Sequence, residues 1–221
     1  DLLDPRTRDL PASLDLVVLQ NVVNELEKAK SGSGARVLHT LSALLSRDGS
    51  IIVAEPADLE NSTMMRRIVH EASKTGLTIY GPCPTFRGLS CRAESCWSFV
   101  EKPPVSPTRL MDEVARGADS YRFINTDIKF SFAILRLDGR VREDFRDLKG
   151  SRFARLSGLQ RHVNRKIDVI AAVMSGELGD RKTHVFRICD GTAQKPVFAI
   201  LPAYHVTPQN RYLLSVRYGS P

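Results

Sequence analysis

Four cysteines are the residues of this sequence with the most distinctive chemistry. Cys83, Cys91 and Cys96 lie close together in the loop 81–99, and Cys189 lies far downstream. The loop is rich in Pro, Gly and Ser, so backbone ladders alone do not order it, and thiolates that converge on a metal would supply the missing tie. The pattern therefore predicts a metal centre with three local ligands and one remote ligand.

The spacing leaves the identity of the metal open. Zinc is less favoured, because the short C-x2-C knuckles of structural zinc sites are missing. An iron-sulfur cluster bound by four thiolates tolerates looser loops, and the pair Cys83-Pro84 is typical of residues that flank cluster ligands. Two alternatives remain. In the first, the cysteines, above all Cys189, are ordinary buried core residues. In the second, they form disulfides, which are disfavoured in a basic chain without a visible secretory segment.

The composition is that of a globular protein with an excess of positive charge. Of the 221 residues, 42% are apolar and 26% are charged, and the formal net charge is +7. Arg binds phosphate through a planar fork, so nucleic acid is the first partner to test; the alternative is a basic protein without an anionic partner. No apolar run is long enough to span a membrane. The start at Asp1, without an initiator Met, favours a chain that begins inside a longer protein.

The apolar pattern of residues 1–140 predicts an α/β domain. The predicted strands are 14–23, 50–54, 77–80 and 128–136, and the predicted helices are 24–45 with a break at 31–34, 61–74 with Asn61 or Ser62 as cap, and 108–118. Strands that alternate with helices are typical of a parallel sheet, and the first strand is apolar enough to be buried on both faces. The cysteine loop leaves from the carboxyl end of a strand, where open α/β sheets bind ligands.

Residues 150–221 are predicted to form a second domain that is rich in strands. It follows a charged connection at 138–151, and its predicted strands are 153–159, 166–175, 183–189, 195–201 and 212–218. Five short strands favour a small OB-like β-barrel, a fold that often binds nucleic acid. The candidate RNA-binding patch at its entry consists of Arg152, Arg155, Arg161, His162, Arg165 and Lys166. A solvated charged face is the alternative.

The order of motifs along the chain resembles a known family. The order is Asp-Leu-Val-Val-Leu, Asn-Val-Val-Asn-Glu-Leu, Gly-Ser-Ile-Ile-Val-Ala-Glu-Pro, Gly-Pro-Cys-Pro, the cysteine loop, Lys-Phe-Ser-Phe-Ala-Ile-Leu-Arg and a basic region with one cysteine. It resembles the methyltransferase-like family associated with the small ribosomal subunit, which includes a mitochondrial assembly factor and bacterial and archaeal relatives. The likeness spans most of the chain.

The resemblance implies the C-terminal part of a class I, Rossmann-like methyltransferase sheet and a [4Fe-4S] cluster. Carried over position by position, the cluster ligands would be Cys83, Cys91, Cys96 and Cys189, with zinc as the alternative metal. The segment after the third cysteine departs from the family in having no His. Four thiolates leave no open iron, so a radical enzyme is a weaker alternative.

The resemblance also implies an S-adenosylmethionine site, of which this chain would carry only a part. The strand 14–23 would be the fourth of the fold, so the Gly-rich turn that binds the cofactor would lie upstream. The remaining candidates are Gln20, Asn21, Asn24 and Glu55. Their alternative role is a polar strand end that caps the following helix.

The resemblance implies an S-adenosylmethionine-dependent, methyltransferase-like protein that acts on or binds small-subunit ribosomal RNA during ribosome assembly. It would be associated with ribosomes in a mitochondrial matrix or a prokaryotic cytoplasm. The alternative is a non-catalytic RNA-binding assembly factor that keeps the fold and the cluster. No residue stands out as a general base, and methyl transfer depends mainly on positioning.

Overall fold

The structure is a computed structural model that describes residues 11, 13–83, 96–102, 105–116, 128–142 and 153–220. The strands are β1 Leu14–Gln20, β2 Leu45–Pro56, β3 Thr78–Gly81, β4 Val100–Glu101, β5 Lys129–Arg136, β6 Ala172–Val173, β7 Thr183–Cys189 and β8 Val197–Pro202. The α-helices are α1 Val23–Ala29, α2 Ser33–Ser42, α3 Leu59–Ser73 and α4 Arg109–Ala115, and 3₁₀ helices span Leu156–His162, Ala203–His205 and Arg211–Ser215.

The first sheet has five strands that run in two directions. Its order is β1-β2-β5-β3, and β4 also pairs with β5. β1 and β2 are parallel, whereas β5 is antiparallel to both β2 and β3. The sheet is therefore mixed and not parallel as the alternating pattern predicts, because β5, the strand that follows the cysteine loop and β4, is inserted in reverse between β2 and β3.

The core of this region is formed by the sheet and by helices α1 to α3. Side chains of β2 alternate between buried and partly exposed, and Ile51 and Val53 belong to the same buried cluster as Met65 of α3. Helix α2 approaches α3 closely at Gly34, where an added Cβ would lie 3.0 Å from side-chain carbons of Ile68. The missing side chain thus permits this packing of the two helices.

The start of helix α3 differs from the prediction by a few residues. The N-cap is Asp58, because its carboxylate accepts a hydrogen bond from the backbone N–H of Asn61 at 2.9 Å. Neither Asn61 nor Ser62 is the cap. An acidic oxygen at this position satisfies one of the helix donors that lack an intrahelical acceptor, which explains why the helix begins before the predicted residue.

The expected burial of the first strand on both faces is wrong. Leu16 and Val18 of β1 are 56% and 57% exposed. Within the described part of the chain, β1 is the outermost strand and pairs with β2 on one side only. The strand also ends at Gln20 and not at Val23, because Asn21 adopts a left-handed φ of 54° and the backbone then turns into α1.

The second region contains a three-stranded antiparallel sheet of order β6-β7-β8. Strand 183–189 has its predicted bounds, but the predicted strands 153–159 and 212–218 are wrong, since these segments contain 3₁₀ helices. No closed five-stranded barrel forms among the described residues of this region. The OB-like barrel depends on five short strands, and two of these segments form 3₁₀ helices with no partner strand.

No helix in the described segments is long and apolar enough to cross a membrane.

Candidate nucleic-acid interface and thiol site

The predicted cationic patch surrounds one groove. Its volume is about 750 Å³, and its basic lining residues are Arg155, Arg161, His162, Arg165 and Lys166. The sixth predicted residue, Arg152, lies outside the described residues. The structure thus brings five of the six predicted positions to one surface, which we call the basic groove.

The basic groove is built on the 3₁₀ helix Leu156–His162 and the turn that follows it. Asp190, which is fully buried, accepts a hydrogen bond from the backbone N–H of Leu156 at 2.9 Å and binds Thr192 through its other oxygen. Two lining residues of the groove are joined by a backbone hydrogen bond, in which the N–H of Ala154 donates to the carbonyl of Asp168 at 2.8 Å. These two ties fix the backbone that carries the cationic side chains.

The charge of the basic groove is directed to solvent. Arg155, Arg161, Arg165 and Lys166 are exposed, and none of them has an ion-pair partner among the residues that the structure describes. One acidic residue, Asp168, contributes to the lining. A concave surface with several cations and little acid raises the local concentration of anions.

Three of the four predicted cofactor residues meet at the carboxyl ends of β1 and β2. Gln20, Asn21 and Glu55 line a cavity of about 520 Å³, to which Lys129 and Phe130 also contribute. We call it the strand-end cavity. Its position at the edge where parallel strands end is the usual place for ligands in an open α/β sheet.

Glu55 has a structural task at this edge. It is 2% exposed, and its Oε1 accepts hydrogen bonds from the backbone N–H groups of Val22, Val23 and Asn24 at 3.1, 2.8 and 3.3 Å. Burial raises the pKa of Glu55 above its ordinary value of 4.5, and the three N–H groups act in the opposite direction. The carboxylate therefore caps helix α1, as the alternative interpretation of these residues held.

The fourth predicted cofactor residue, Asn24, does not line the strand-end cavity. It is 1% exposed, and its Nδ2 donates to the backbone carbonyl of Asn61 at 2.9 Å. Its Oδ1 has no partner among the described residues. Asn24 thus ties α1 to α3, and its contacts are those of a core residue.

The predicted metal ligands are only partly covered by the structure. Cys91 lies outside the described residues, and no three His, Cys, Asp or Glu side chains within the described residues form a metal-binding group. Cys83 follows β3, Cys96 precedes β4 and Cys189 ends β7, where it pairs with Ala172. A centre with all four sulfurs therefore stays a prediction.

Cys83 and Cys96 nevertheless share one environment. Burial raises the pKa of the Cys83 thiol, the nearby guanidinium of Arg66 lowers it, and the charge of Cys96 raises it further. The Sγ of Cys96 lies 3.4 Å from the Oγ of Ser98. The two thiols are thus close enough to influence each other electrostatically.

Sequence reasoning missed the polar network behind these thiols, which we call the Arg66 network. Arg66 is 3% exposed; its Nη2 donates to Tyr218 Oη at 2.7 Å, and its Nη1 donates to the carbonyl of Phe132 at 2.7 Å. Tyr218 in turn donates to Ser98 Oγ at 3.2 Å. The sequence did contain a signal for this network, namely an arginine at position 66 on the apolar stripe of α3, beside Met65 and Val69.

The chain around Tyr218 joins the two regions. The N–H of Gly219 donates to the carbonyl of Val173 in β6 at 2.7 Å, and Arg142 donates to the carbonyl of Gly219 at 2.6 Å. Gly219 has a φ of 79° and lies against Pro82, whose Cβ would be 3.2 Å from an added side chain. The segment around Gly219 therefore contacts both β6, the strand paired with that of Cys189, and Pro82, the residue before Cys83.

A second contact between the regions lies next to Cys96. Arg187 of β7 donates from Nη1 to the carbonyl of Trp97, and Trp97 donates from its ring N–H to the carbonyl of Ala57 at 2.8 Å. The segment that carries Cys96 is thus held between β7 and the start of α3.

Comparison with known proteins identifies one family match. Residues 157–221 match a profile described as the C-terminal domain of a domain of unknown function, DUF8157. The match covers less than half of the chain, and it includes part of the basic groove, Cys189 and Tyr218. A search of curated proteins finds no match.

Proposed function

We propose that this protein binds small-subunit ribosomal RNA through the basic groove, as a methyltransferase-like factor of ribosome assembly. The observation that carries the proposal is the meeting of Arg155, Arg161, His162, Arg165 and Lys166 around one groove of about 750 Å³. A groove with exposed cations contacts the phosphate backbone, which supplies most of the affinity of proteins for nucleic acid.

Salt-dependent RNA binding tests this proposal. R161A/R165A removes two cations from the basic groove, and R36A/R47A, which removes two exposed arginines from the first region, is the matched control. The slope of log K against log salt is negative, and each lost phosphate contact reduces its magnitude by about 0.7 to 0.9. We therefore expect R161A/R165A to make the slope shallower by about 1.5 and to weaken binding. R36A/R47A should stay close to wild type.

The RNA probe separates the general attraction from the ribosomal assignment. Full-length protein would be titrated with small-subunit ribosomal RNA fragments and with large-subunit fragments of equal length. Tighter binding to the small-subunit fragments supports the assignment, and equal binding overturns it. Equal losses in R161A/R165A and R36A/R47A would mean that net charge alone attracts RNA.

The proposed cluster ligands are Cys83, Cys91, Cys96 and Cys189. The donor set fits an iron-sulfur cluster in chemistry, since it consists of thiols, and the shared environment of Cys83 and Cys96 supports the proposal. When bound, the cluster would supply a link between the two regions. Anaerobically purified protein should contain iron and sulfide, and a colourless preparation with one zinc per chain would contradict the cluster.

Methyl transfer is a second candidate function, which the strand-end cavity favours. Gln20 and Asn21 line this cavity and make no side-chain hydrogen bond with another described residue, so they can contact a ligand, whereas Glu55 is engaged in capping α1. When bound, S-adenosylmethionine would supply the methyl group, and the residues of this chain would orient it. The full-length protein should bind S-adenosylmethionine and Q20A/N21A should weaken binding; RNA binding without transfer supports the non-catalytic factor.

A further inference from the structure

The inference concerns the surroundings of the thiols and rests on the proposed cluster. Arg66 is a charged side chain in the interior, 3% exposed, on the buried stripe of α3. Its guanidinium reaches four groups from four separate segments. Besides Phe132 and Tyr218, these are the carbonyl of Ser98 at 3.4 Å and the Sγ of Cys83 at 3.8 Å.

The same network reaches the second thiol through Tyr218. The phenol oxygen accepts from Arg66 at 2.7 Å and donates to Ser98 Oγ at 3.2 Å, and Ser98 Oγ lies 3.4 Å from Cys96 Sγ. Arg66 therefore contacts Cys83 directly and Cys96 through Tyr218 and Ser98. One cation thus orders the polar groups around both thiols.

Each member of the network is held by a different part of the fold. Ser98 is 1% exposed, and its carbonyl also accepts a hydrogen bond from Ser131 of β5 at 2.8 Å. Tyr218 packs against the ring of Phe132 with 5.8 Å between centroids. The positions of Arg66 and Tyr218 are thus fixed by contacts within the protein, as is typical of groups that orient metal ligands.

We propose that Arg66 and Tyr218 are positioning residues for a thiolate-bound cluster: Arg66 stabilises the negative charge on the sulfurs, and Tyr218 fixes the orientation of Arg66 and Ser98. Hydrogen bonds and charges near cluster sulfurs set the reduction potential and the retention of iron. A cation beside the sulfurs favours the more negative, reduced state. Loss of the cation should therefore make the reduction potential more negative.

The test uses full-length protein reconstituted with iron and sulfide under anaerobic conditions. The variants are R66Q, R66K and Y218F, and the matched controls are R67Q, the neighbouring exposed arginine of α3, and Y212F, an exposed tyrosine. The first readout is the rate of iron loss to a chelator, and the second is the reduction potential followed by electron paramagnetic resonance.

We expect R66Q to lose iron about tenfold faster than wild type and to have a more negative potential. R66K should restore the potential because it keeps the charge, and Y218F should lose iron faster than Y212F. If R66Q does not fold, as judged by circular dichroism, the pair R66K and Y218F decides. Iron retention and potentials equal to those of R67Q and Y212F would overturn the proposal.

The outcome for wild-type protein separates this inference from the cluster itself. Wild-type protein that holds no iron after reconstitution overturns both. Iron in the wild type, together with unchanged behaviour of the Arg66 and Tyr218 variants, overturns only the positioning role. Neither result bears on RNA binding by the basic groove, which is measured separately.

Discussion

The two regions of this protein use the same device at the start of a helical segment but surround it differently. In the first region, Glu55 at the end of β2 caps helix α1 with its buried carboxylate. In the second region, Asp190, directly after β7, binds the N–H of Leu156 at the start of a 3₁₀ helix. In both cases a buried acid satisfies backbone donors that have no helical acceptor.

The surroundings of the two carboxylates differ in how much apolar surface they bury. Around Glu55 the sheet and three helices share a continuous buried cluster that includes Val23 and Val53. In the second region, Phe198 and Ile200 of β8 are 47% and 64% exposed. The first region is therefore held mainly by packing, whereas the second relies more on individual polar contacts.

The largest effect that tests this comparison is expected for E55A. The substitution leaves the N–H groups of Val22, Val23 and Asn24 without their acceptor inside a packed core. Because each N–H group that is left without a hydrogen bond destabilises the folded state, we expect the free energy of unfolding to fall by about 3 kcal/mol. Chemical denaturation measures it. E25A, which removes an exposed acid of the same helix, should change stability by less than about 0.5 kcal/mol. Similar losses for both variants would contradict the capping role.

The raised pKa of Glu55 gives the same site a pH signature. Its folded pKa lies above the ordinary 4.5, so its favourable contribution is present below pH 4.5 and is lost as the pH rises through the folded pKa. E55Q keeps an acceptor oxygen without the charge. The stability difference between E55Q and wild type should therefore grow in favour of E55Q as the pH rises through that range, and a constant difference would contradict the shift.

A smaller and more local effect is expected for D190A. The variant frees the backbone of Leu156 and Thr192 in a region with less packing, so we expect local opening to become easier by about 2 kcal/mol, or roughly 30-fold faster amide exchange. Hydrogen exchange of residues 153–168 measures it. D180A is the control, because Asp180 also accepts from two backbone N–H groups but is exposed. Uniformly faster exchange in both regions would show that the second region is not a separate opening unit.

The smallest effect is expected for D138N at the rim of the first sheet. The guanidinium of Arg136 binds Asp138 and lowers the pKa of that carboxyl to about 2. Its stabilising contribution is therefore present above the unfolded pKa of 3.8 and is lost as the pH falls through about 2. Thermal unfolding of wild type and D138N should differ slightly at pH 5 and converge near pH 2, and a difference that does not change with pH would contradict this ion pair.

The comparison also explains which parts of the structure could be predicted from sequence. In the first region, the apolar run 128–136 predicted β5 to within one residue and 50–54 predicted the central part of β2, because burial of these side chains decides the structure. In the second region, 153–159 has a similar pattern but forms a 3₁₀ helix, because Asp190 holds the N–H of Leu156. That contact spans 34 residues and leaves no local signal.

The candidate sites show the same limit. Five positions of the basic groove were predictable, because they lie within a few residues of one another and charge is read directly from sequence. The hydrogen bond between Arg66 and Tyr218 was not predictable, because Tyr218 lies 152 residues downstream of Arg66. Glu55 was predictable as a polar residue at a strand end, but only its hydrogen bonds to the start of α1 distinguish a helix cap from a ligand-binding carboxylate.

The distance in sequence between Arg66 and Tyr218 has a consequence for biosynthesis. Both thiols are translated before Tyr218, and the 120 residues from Ser98 to Tyr218 require roughly 6 to 24 s at about 5 to 20 residues per second. During this interval Cys83 and Cys96 lack the phenol that completes their surroundings. The nascent chain thus offers a period in which the sulfurs are open to metal delivery or to oxidation, and the arrival of Tyr218 ends it.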